Sequence, residues 1–322
     1  MAGDAIARYL ERLRSERGCS PRTLASYRLD LRALAELALR EDAGSTSPAE
    51  PDWSAVTEHR VRRWVAASSR AGLSARSIAR RLSAWRGFFD WLAAQGEAAA
   101  NPARGVRGPR APRRLPKALP PDVAVRFVGA AHGDDFESVR DQAMLELFYS
   151  SGLRLSELTS LDLRHFDGPG GASTGWIDLD EAELTVRGKG GRTRTVPIGR
   201  AAREALQRWL AVRSDGCAGR PGCDERALFL GVQGRRLANR TVQIRLKRLA
   251  LARGVPANVH PHVLRHSFAS HLLQSSGDLR AVQELLGHAS IATTQVYTSL
   301  DFQRLAAVYD AAHPRARRRG GS

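Results

Sequence analysis

A proline-rich, basic segment divides the sequence and limits the folds that it can adopt. Residues 101–118 contain four prolines, five arginines, one lysine and no acidic residue. Proline lacks the backbone donor that helices and central strands need, so neither element continues through this segment. Closely spaced prolines instead favour an extended chain. The sequence therefore predicts two domains, 1–108 and 119–322, joined by a basic linker at 109–118.

The first domain is predicted to be a small bundle of four helices. A charged amphipathic run covers residues 4–17, and apolar residues recur at helical spacing after Ser20, Thr57 and Ser74. Serine and threonine favour helix starts because their side-chain oxygens accept hydrogen bonds from the amides of the first turn.

The second domain is predicted to be mostly helical, with one β-hairpin. Residues 183–187 and 193–198 alternate apolar and polar side chains around a glycine-rich turn. This pattern would place Lys189 at the tip of the hairpin. Further helices are predicted at about 201–213, 238–253, 262–274, 279–286 and 302–311. The fold class is therefore mainly α, with a small β element.

The charge of the chain favours a polyanionic partner. There are 50 basic residues against 33 acidic ones, a net charge of +17, and both predicted domains are basic. Such a balance is typical of proteins that surround nucleic acid. Candidate contacts to DNA are Arg76, Arg80 and Arg81 on one face of the fourth helix, and Arg113 and Arg114 in the linker. The alternative interpretation of the helical face is a solvated surface.

Composition also narrows the setting of the protein. No run of about 18 apolar residues is present, so no membrane insertion is expected. The charged N-terminus is unlike a secretory signal, which favours a cytoplasmic protein. Three cysteines do not make a disulfide framework in a chain of 322 residues. We interpret Cys217 and Cys223 as reduced thiols.

Histidines concentrate between residues 260 and 271, where four of the nine occur. His262 and His266 have the i, i+4 spacing of a zinc-binding helix, but no carboxylate occurs from residue 255 to 277. We therefore expect no metal at this histidine cluster. His262 and Arg265 would share one helical face, where a guanidinium fork and an imidazole suit a phosphate group.

Four other residues carry candidate chemistry. Arg154 follows a helix-stopping glycine, and Glu157 could orient its guanidinium. Lys189 is one of only three lysines among the 50 basic residues, and a lysine can donate a proton where arginine stays charged. His288 ends a predicted helix, and Tyr297 follows nine residues later. The alternative role for Tyr297 is packing.

The order of these motifs resembles the tyrosine recombinases of the phage integrase family. The resemblance rests on GLRLSEL around Arg154, GKGGRTR around Lys189, HVLRH at 262–266, LLGH ending at His288, and TTQVYTSLD around Tyr297. It covers essentially the whole chain. It implies an N-terminal SAM-like core-binding domain of four helices and a mostly helical catalytic domain.

The resemblance assigns a role to each candidate. Tyr297 would attack a DNA phosphodiester and form a 3′-phosphotyrosyl link. Lys189 would protonate the leaving 5′-oxygen, and His262 would assist proton transfer at the nucleophile. No metal or nucleotide cofactor is implied.

The remaining three candidates would act on the phosphate itself. Arg154 and Arg265 would clamp its non-bridging oxygens, and His288 would hydrogen-bond to it. Three alternatives remain open: an integrase of phage or integron type, a non-catalytic DNA-binding relative, and a metal-dependent nuclease.

The C-terminal region resembles one branch of the family in particular. Residues 275–317 are similar to paired recombinases that resolve chromosome dimers at cell division. The implied partners are a duplex DNA recombination site, a XerD-type recombinase in a heterotetramer, and a FtsK-type DNA translocase. The implied location is the nucleoid in the cytoplasm. The last helix, at about 302–311, would dock onto another protomer, and the alternative is that it packs against its own domain.

Overall fold

The computed structural model forms two compact units, Met1–Arg114 and Leu115–Ser322. The residues that it describes are 5–42, 51–110, 118–130, 133–168, 171–188, 193–217, 220–255, 259–287, 305, 307–309 and 311–315. Five of the candidate residues lie outside these ranges: Arg113, Arg114, Lys189, His288 and Tyr297.

Four α-helices build the described part of the first unit. They are α1 (Ala5–Ser15), α2 (Pro21–Asp42), α3 (Glu58–Arg70) and α4 (Ala75–Ala94). Capping begins them as the sequence predicts, since Thr57 accepts a hydrogen bond from the amide of Arg60 and Ser74 accepts one from Ser77. The prediction of a helical N-terminal bundle is confirmed.

Aromatic side chains fill the core of this unit. Trp64 and Trp85 meet edge to face, with ring centroids 6.3 Å apart. Phe88 and Phe89 are fully buried beside them. The indole of Trp85 donates a 2.9 Å hydrogen bond to the carbonyl of Asp30, which ties α4 to α2.

The second unit surrounds a small antiparallel sheet with helices. Its helices are α5 (Pro121–Gly129), α6 (Phe136–Ser151), α7 (Leu155–Thr159), α8 (Arg200–Arg213), α9 (Asn239–Ala252), α10 (Pro261–Ser276) and α11 (Leu279–Leu286). Its strands are β1 (Gly175–Asp178), β2 (Glu183–Arg187) and β3 (Thr193–Pro197), paired in the order β1-β2-β3. The mainly α fold with a predicted hairpin is confirmed, and β1 is an additional strand.

Helix α6 lies at the centre of the second unit. Its residues from Ala143 to Ser151 are all buried, and it packs against α8 and α10. The charged residues that it buries are paired, Arg140 with Asp141 and Glu146 with Arg315, as buried charges require. This position brings the end of α6 beside α10, which carries His262 and Arg265.

The interpretation of Cys217 and Cys223 as reduced thiols is wrong for this structure, which joins them in a disulfide. The turn between them brings their Cα atoms to 5.5 Å, within the range that a disulfide spans. Spacing along the sequence alone does not show how tightly this loop turns.

The C-terminal segment packs against its own unit. Leu305, Tyr309 and His313 are buried in the core of the second unit. The Nε atom of Arg315 donates a 3.1 Å hydrogen bond to the carboxylate of Glu146 on α6. Docking onto another protomer stays a prediction. Among the described residues, no helix is both apolar enough and long enough to cross a membrane.

Candidate active site

Glu157 is the carboxylate around which the site is built. It lies in the first turn of α7 and accepts a 2.8 Å hydrogen bond from the backbone amide of Arg154. The Nη1 atom of Arg154 donates a second bond, of 2.6 Å, to the same carboxylate. A carboxylate at this position satisfies an amide that the helix start leaves open. One residue therefore caps α7 and orients the guanidinium of Arg154.

Arg265 reaches the same place from α10. Its Nη1 atom donates to the carbonyl of Gly152 at 2.6 Å and lies 3.9 Å from Glu157. Its Nη2 atom donates to the carbonyl of Leu286 at 2.5 Å. Burial, followed by the charges of Arg154 and other arginines, lowers the pKa of Arg265 to about 10, so it stays charged at neutral pH. Arg154 and Arg265 are thus brought together.

A left-handed glycine makes this approach possible. Gly152 ends α6 at φ +56°. A Cβ atom there would lie 2.4 Å from the ring of Phe268 on α10. Glycine avoids both the backbone strain and the clash. Because of this turn, the chain leaves α6 and places Arg154 beside α10.

Arg194 is a residue of the site that the sequence interpretation missed. It lies on β3 and donates two parallel hydrogen bonds to the carboxylate of Glu157, from Nη1 to Oε1 at 2.9 Å and from Nη2 to Oε2 at 2.8 Å. Its partner across the hairpin is buried Val186. The sequence did contain a pattern that indicates this position. Alternate residues of a strand lie on the same face, so the pattern that places Val196 on the buried face also places Arg194 there, opposite Val186.

The cluster holds more positive than negative charge. Within the described residues, Arg154, Arg194 and Arg265 surround the single carboxylate of Glu157. Burial alone would raise the pKa of Glu157, but the hydrogen bonds and charge of Arg194, joined by Arg154, lower it to about 2. The excess positive charge beside a partly exposed arginine suits an anion such as a phosphate.

His262 lies one turn before Arg265, in the first turn of α10. Its side chain is exposed, and its ring centroid is 6.1 Å from that of His260. Its ring is therefore open to a ligand on the side of α10 where it lies. In the part of the chain that the structure describes, no three His, Cys, Asp or Glu residues come together as metal ligands.

The other three catalytic candidates lie outside the described residues, Tyr297 within the range 288–304 and the other two directly after a described residue. Lys189 follows Gly188 at the end of β2, and His288 follows Gly287, which ends α11 at φ +64°. The carbonyl of Gly287 lies 3.5 Å from Nη2 of Arg154. The residue that precedes His288 therefore lies in contact with the arginine cluster.

The predicted DNA-contacting arginines of α4 have different environments. Arg76 is exposed. Arg80 donates a 2.6 Å hydrogen bond to Asp30, and Arg81 donates one of 2.9 Å to Ser68. Burial raises the pKa of Asp30, while the charges of Arg80 and Arg81 counteract that effect. Two of the three arginines thus serve contacts within the bundle, and DNA contact stays a prediction for all three.

Helix α9 presents a basic surface that the sequence interpretation did not single out. Arg240, Gln243, Lys247 and Arg248 are exposed along it, while Val242 and Leu246 face the core. The helical spacing of its charges carries this signal in the sequence.

Family models match both units of the chain. The model "Phage integrase family" matches residues 117–304, and "Phage integrase, N-terminal SAM-like domain" matches residues 6–96. The chain belongs to the phage integrase family. The recognition of the family and the SAM-like domain predicted from the sequence are confirmed.

Curated relatives of this recombinase are similar over nearly its whole length. Tyrosine recombinase XerC 1 of Ralstonia nicotianae is 56% identical over 318 residues, which cover 98% of this chain and 94% of that protein. Tyrosine recombinase XerC of Pseudomonas aeruginosa is 50% identical over 314 residues, covering 98% and 96%. The resemblance to the XerC branch is confirmed, and the chain is a tyrosine recombinase that cleaves and rejoins DNA.

Solved structures share the fold. The XerH recombinase bound to a palindromic difH substrate has a TM-score of 0.65 at 20% identity, covering 95% of this chain and 84% of that one. The Tn1549 transposon integrase in complex with transposon right end DNA has a TM-score of 0.66 at 18% identity, covering 94% and 98%. At such identities the likeness shows the fold alone.

Proposed function

We propose that this recombinase exchanges DNA strands through a 3′-phosphotyrosyl intermediate formed by Tyr297. The observation that carries the proposal is the arginine pair, Arg154 and Arg265, held on Glu157 with excess positive charge. Donors that are already in position stabilise the charge that develops on a phosphate in the transition state. Their place in the chain matches the motifs around His262, His288 and Tyr297.

The proposed chemistry balances without a metal or ATP. The Oη atom of Tyr297 attacks the scissile phosphorus, a phosphotyrosyl bond forms, and the bond to the 5′-oxygen breaks. Lys189 gives the leaving oxygen a proton, while His262 assists proton transfer from the nucleophile. His288 hydrogen-bonds to the phosphate. The covalent link conserves the bond energy, so a 5′-hydroxyl of a partner strand reverses the reaction and completes exchange.

A nicked suicide substrate tests this chemistry. The duplex carries a chromosomal dimer-resolution site, and loss of the short fragment after cleavage traps the enzyme on DNA. We expect a protein–DNA adduct that resists denaturant, forms in EDTA, and is absent from Tyr297→Phe. An adduct that persists in Tyr297→Phe would exclude this nucleophile.

The same assay separates the alternatives. A metal-dependent nuclease would lose activity in EDTA and leave no adduct. A non-catalytic relative would bind the duplex and form no adduct even with its partner added. An integrase of phage or integron type would form adducts on its own attachment site and not on the dimer-resolution site.

We further propose that both units contact duplex DNA, with 1–108 as the core-binding domain, 109–118 as the linker and 119–322 as the catalytic domain. The basic surface of α9, the exposed Arg76, and Arg113 and Arg114 support contact with phosphates. Proteolysis with and without DNA would test the boundaries, since only a linker that lies on DNA becomes protected. Binding should weaken steeply with salt, by about 0.9 in log K per decade for each phosphate neutralised.

The biological role that we propose is resolution of chromosome dimers at cell division. The similarity to XerC proteins supports it, and with it a XerD-type partner in a heterotetramer, a FtsK-type translocase and a nucleoid-associated place in the cytoplasm. Deleting the gene should give chains of cells with unseparated chromosomes, which Tyr297→Phe does not rescue. Normal segregation in the deletion strain would exclude this role.

A further inference from the structure

Arg194 is bonded to Glu157 more completely than the two arginines assigned to the phosphate. Both of its terminal nitrogens bind Glu157, at 2.9 and 2.8 Å, and its Nε atom donates a 3.0 Å bond to the carbonyl of Leu285. Two parallel bonds fix the plane and direction of a carboxylate, which a single contact does not. Arg194 thus sets the orientation in which Glu157 meets Arg154.

Arg194 is the least exposed arginine of the cluster, and each of its three guanidinium nitrogens already donates to Glu157 or to the carbonyl of Leu285. Its side chain is 6% exposed, against 11% for Arg265 and 34% for Arg154. The aliphatic part of Arg194 packs against Gly287, where an added Cβ would lie 3.0 Å from its Cδ. An effect of Arg194 on a bound phosphate must therefore pass through neighbouring groups.

Three arginines also hold the last turn of α11. Arg194 donates to the carbonyl of Leu285, Arg265 donates to that of Leu286, and Arg154 makes a long contact of 3.5 Å to that of Gly287. Cations favour the negative end of a helix, where carbonyls lack partners within the helix. The helix end that leads into His288 is therefore anchored on the same cluster as the phosphate arginines.

We propose that Arg194 is a positioning residue of the active site, which aligns Arg154 and Arg265 through Glu157 and fixes the end of α11 before His288. It contacts neither DNA nor the reacting atoms. This inference rests on the proposed function, because its effect is measured on cleavage by Tyr297.

The decisive variant is Arg194→Lys, which keeps the charge and removes the fork. A lysine cannot form the two parallel bonds and at the same time reach Leu285. In single-turnover assays with saturating protein on the nicked substrate, the rate of adduct formation should fall about 10- to 100-fold, as misplaced catalytic groups typically cause. Affinity for the duplex should not change.

The matched control is Arg213→Lys. Arg213 is another buried arginine of the same unit, and it donates to the carbonyls of Asp224, Glu225 and Ala227, away from Glu157. Its replacement should lower thermal stability without slowing cleavage by the folded protein. A purely structural role for Arg194 would make the two variants behave alike.

Two further measurements distinguish alignment from packing. Among the described residues, the charged groups that face Glu157 are Arg154, Arg194 and Arg265. Arg194→Gln should therefore let Glu157 take up a proton at mildly acidic pH and add a fall in rate that the wild type lacks. In a double-mutant cycle, Arg194→Lys combined with Glu157→Gln should be no slower than the slower single variant.

The possible results distinguish a failure of the positioning role from a failure of the proposed recombinase chemistry. Slower adduct formation in Arg194→Lys alone, with non-additivity against Glu157→Gln, supports the positioning role. Wild-type rates in Arg194→Lys, equal losses in Arg213→Lys, or losses that multiply in the double variant overturn it while the recombinase chemistry stands. A wild-type protein that forms no adduct with its partner present overturns both.

Discussion

The hydroxyl of Tyr149 donates a hydrogen bond to Nδ1 of His271, 2.9 Å away in the interior of the catalytic unit. The other ring nitrogen, Nε2, donates to the carbonyl of Leu119 at 2.8 Å, which fixes the tautomer. The amide of Leu119 in turn donates to the hydroxyl of Ser267 at 2.8 Å. The chain entering the catalytic unit is thus bonded to the helix that carries His262 and Arg265.

Replacing the hydroxyl should weaken this junction. In Tyr149→Phe, the Nδ1 atom of His271 loses its donor in a site that excludes water. An unsatisfied buried group of this kind typically costs about 1–3 kcal/mol. Urea titration followed by hydrogen exchange in α10 would measure the loss, with Tyr27→Phe in the other unit as the control. Unchanged exchange in α10 would contradict it.

Adding one methyl group at Gly152 should disrupt the site. Gly152→Ala would meet left-handed strain of about 1–2 kcal/mol and a clash with Phe268 that adds about 1–3 kcal/mol. The control is Gly277→Ala, which also ends a helix at positive φ but has nothing within 4 Å of the added atom. Thermal unfolding and adduct formation should both suffer more in the first variant. Equal losses of stability and of adduct formation in the two variants would mean that the ring of Phe268 moves aside without a measurable energetic cost.

Acid should destabilise the C-terminal segment through His313. Burial, with smaller effects from His271 and Arg315, lowers the pKa of His313 to about 3, from the ordinary histidine pKa of about 6.5. Between pH 6.5 and pH 3, the unfolded chain therefore binds a proton at this histidine and the folded chain does not. The free energy of unfolding consequently falls as the pH drops below about 6.5. In the part of the chain that the structure describes, Tyr309 and Tyr149 also face this ring.

The comparison is with His313→Phe, which keeps an aromatic ring and cannot titrate. Between pH 7 and 5.5, the wild type should lose about 1 kcal/mol of unfolding free energy more than this variant. Urea titrations at the two pH values, followed by exchange in α6, measure the difference. Parallel losses in the two proteins would show that His313 is not the sensor.

Arg86 should hold in place the segment that follows the last helix of the N-terminal bundle, residues 101–110. Its Nε atom donates to the carbonyl of Ala103 at 3.0 Å, and its Nη2 atom donates to that of Val106 at 2.5 Å. Arg86→Ala removes both bonds, so residues 101–110 should become more sensitive to limited proteolysis. Arg76→Ala, an exposed site on the same helix, is the control. Equal cleavage of the two variants would contradict this.

The arginines on the predicted DNA-binding face of α4 should differ in role, with Arg76 contributing to DNA affinity and Arg81 to the stability of the bundle. Arg76→Ala should lower affinity for duplex DNA and reduce the salt dependence of log K by about 0.9. Arg81→Ala should instead destabilise the bundle, by about 1–3 kcal/mol, because buried Ser68 loses its hydrogen bond and buried Asp30 loses an ion-pair partner 3.8 Å away. Binding isotherms at several salt concentrations and urea titrations separate the effects. A stable Arg81→Ala that binds DNA weakly would reverse the assignment.

Local chemistry predicted much of the fold. Thr57 and Ser74 begin helices as N-caps, and alternation in 183–187 and 193–197 makes a hairpin. These features depend on residues a few positions apart. Strand β1 was not predicted, because its four residues follow a glycine-rich stretch and acquire strand geometry only by pairing with β2.

The site was predictable only in its separate parts. The motifs identified Arg154, His262 and Arg265, and the spacing suggested that Glu157 orients Arg154. No local pattern joins Glu157 to Arg194, because the two are 37 residues apart and meet only when β3 packs against α7. Long-range packing also determines which arginines of α4 are occupied by Asp30.

The hydrogen bonds from the arginine cluster to α11 go to main-chain oxygens, at Leu285, Leu286 and Gly287. Carbonyl groups are the same in every amino acid, so these bonds do not depend on the side chains of Leu285 and Leu286. Gly287 differs, because an added Cβ there would lie 3.0 Å from Cδ of Arg194. The bonds also depend on where the helix stops. One inserted residue would rotate the last carbonyls by about 100° around the helix axis and turn them away from their donors. These bonds therefore constrain the length of α11, in addition to the packing that constrains its final side chains.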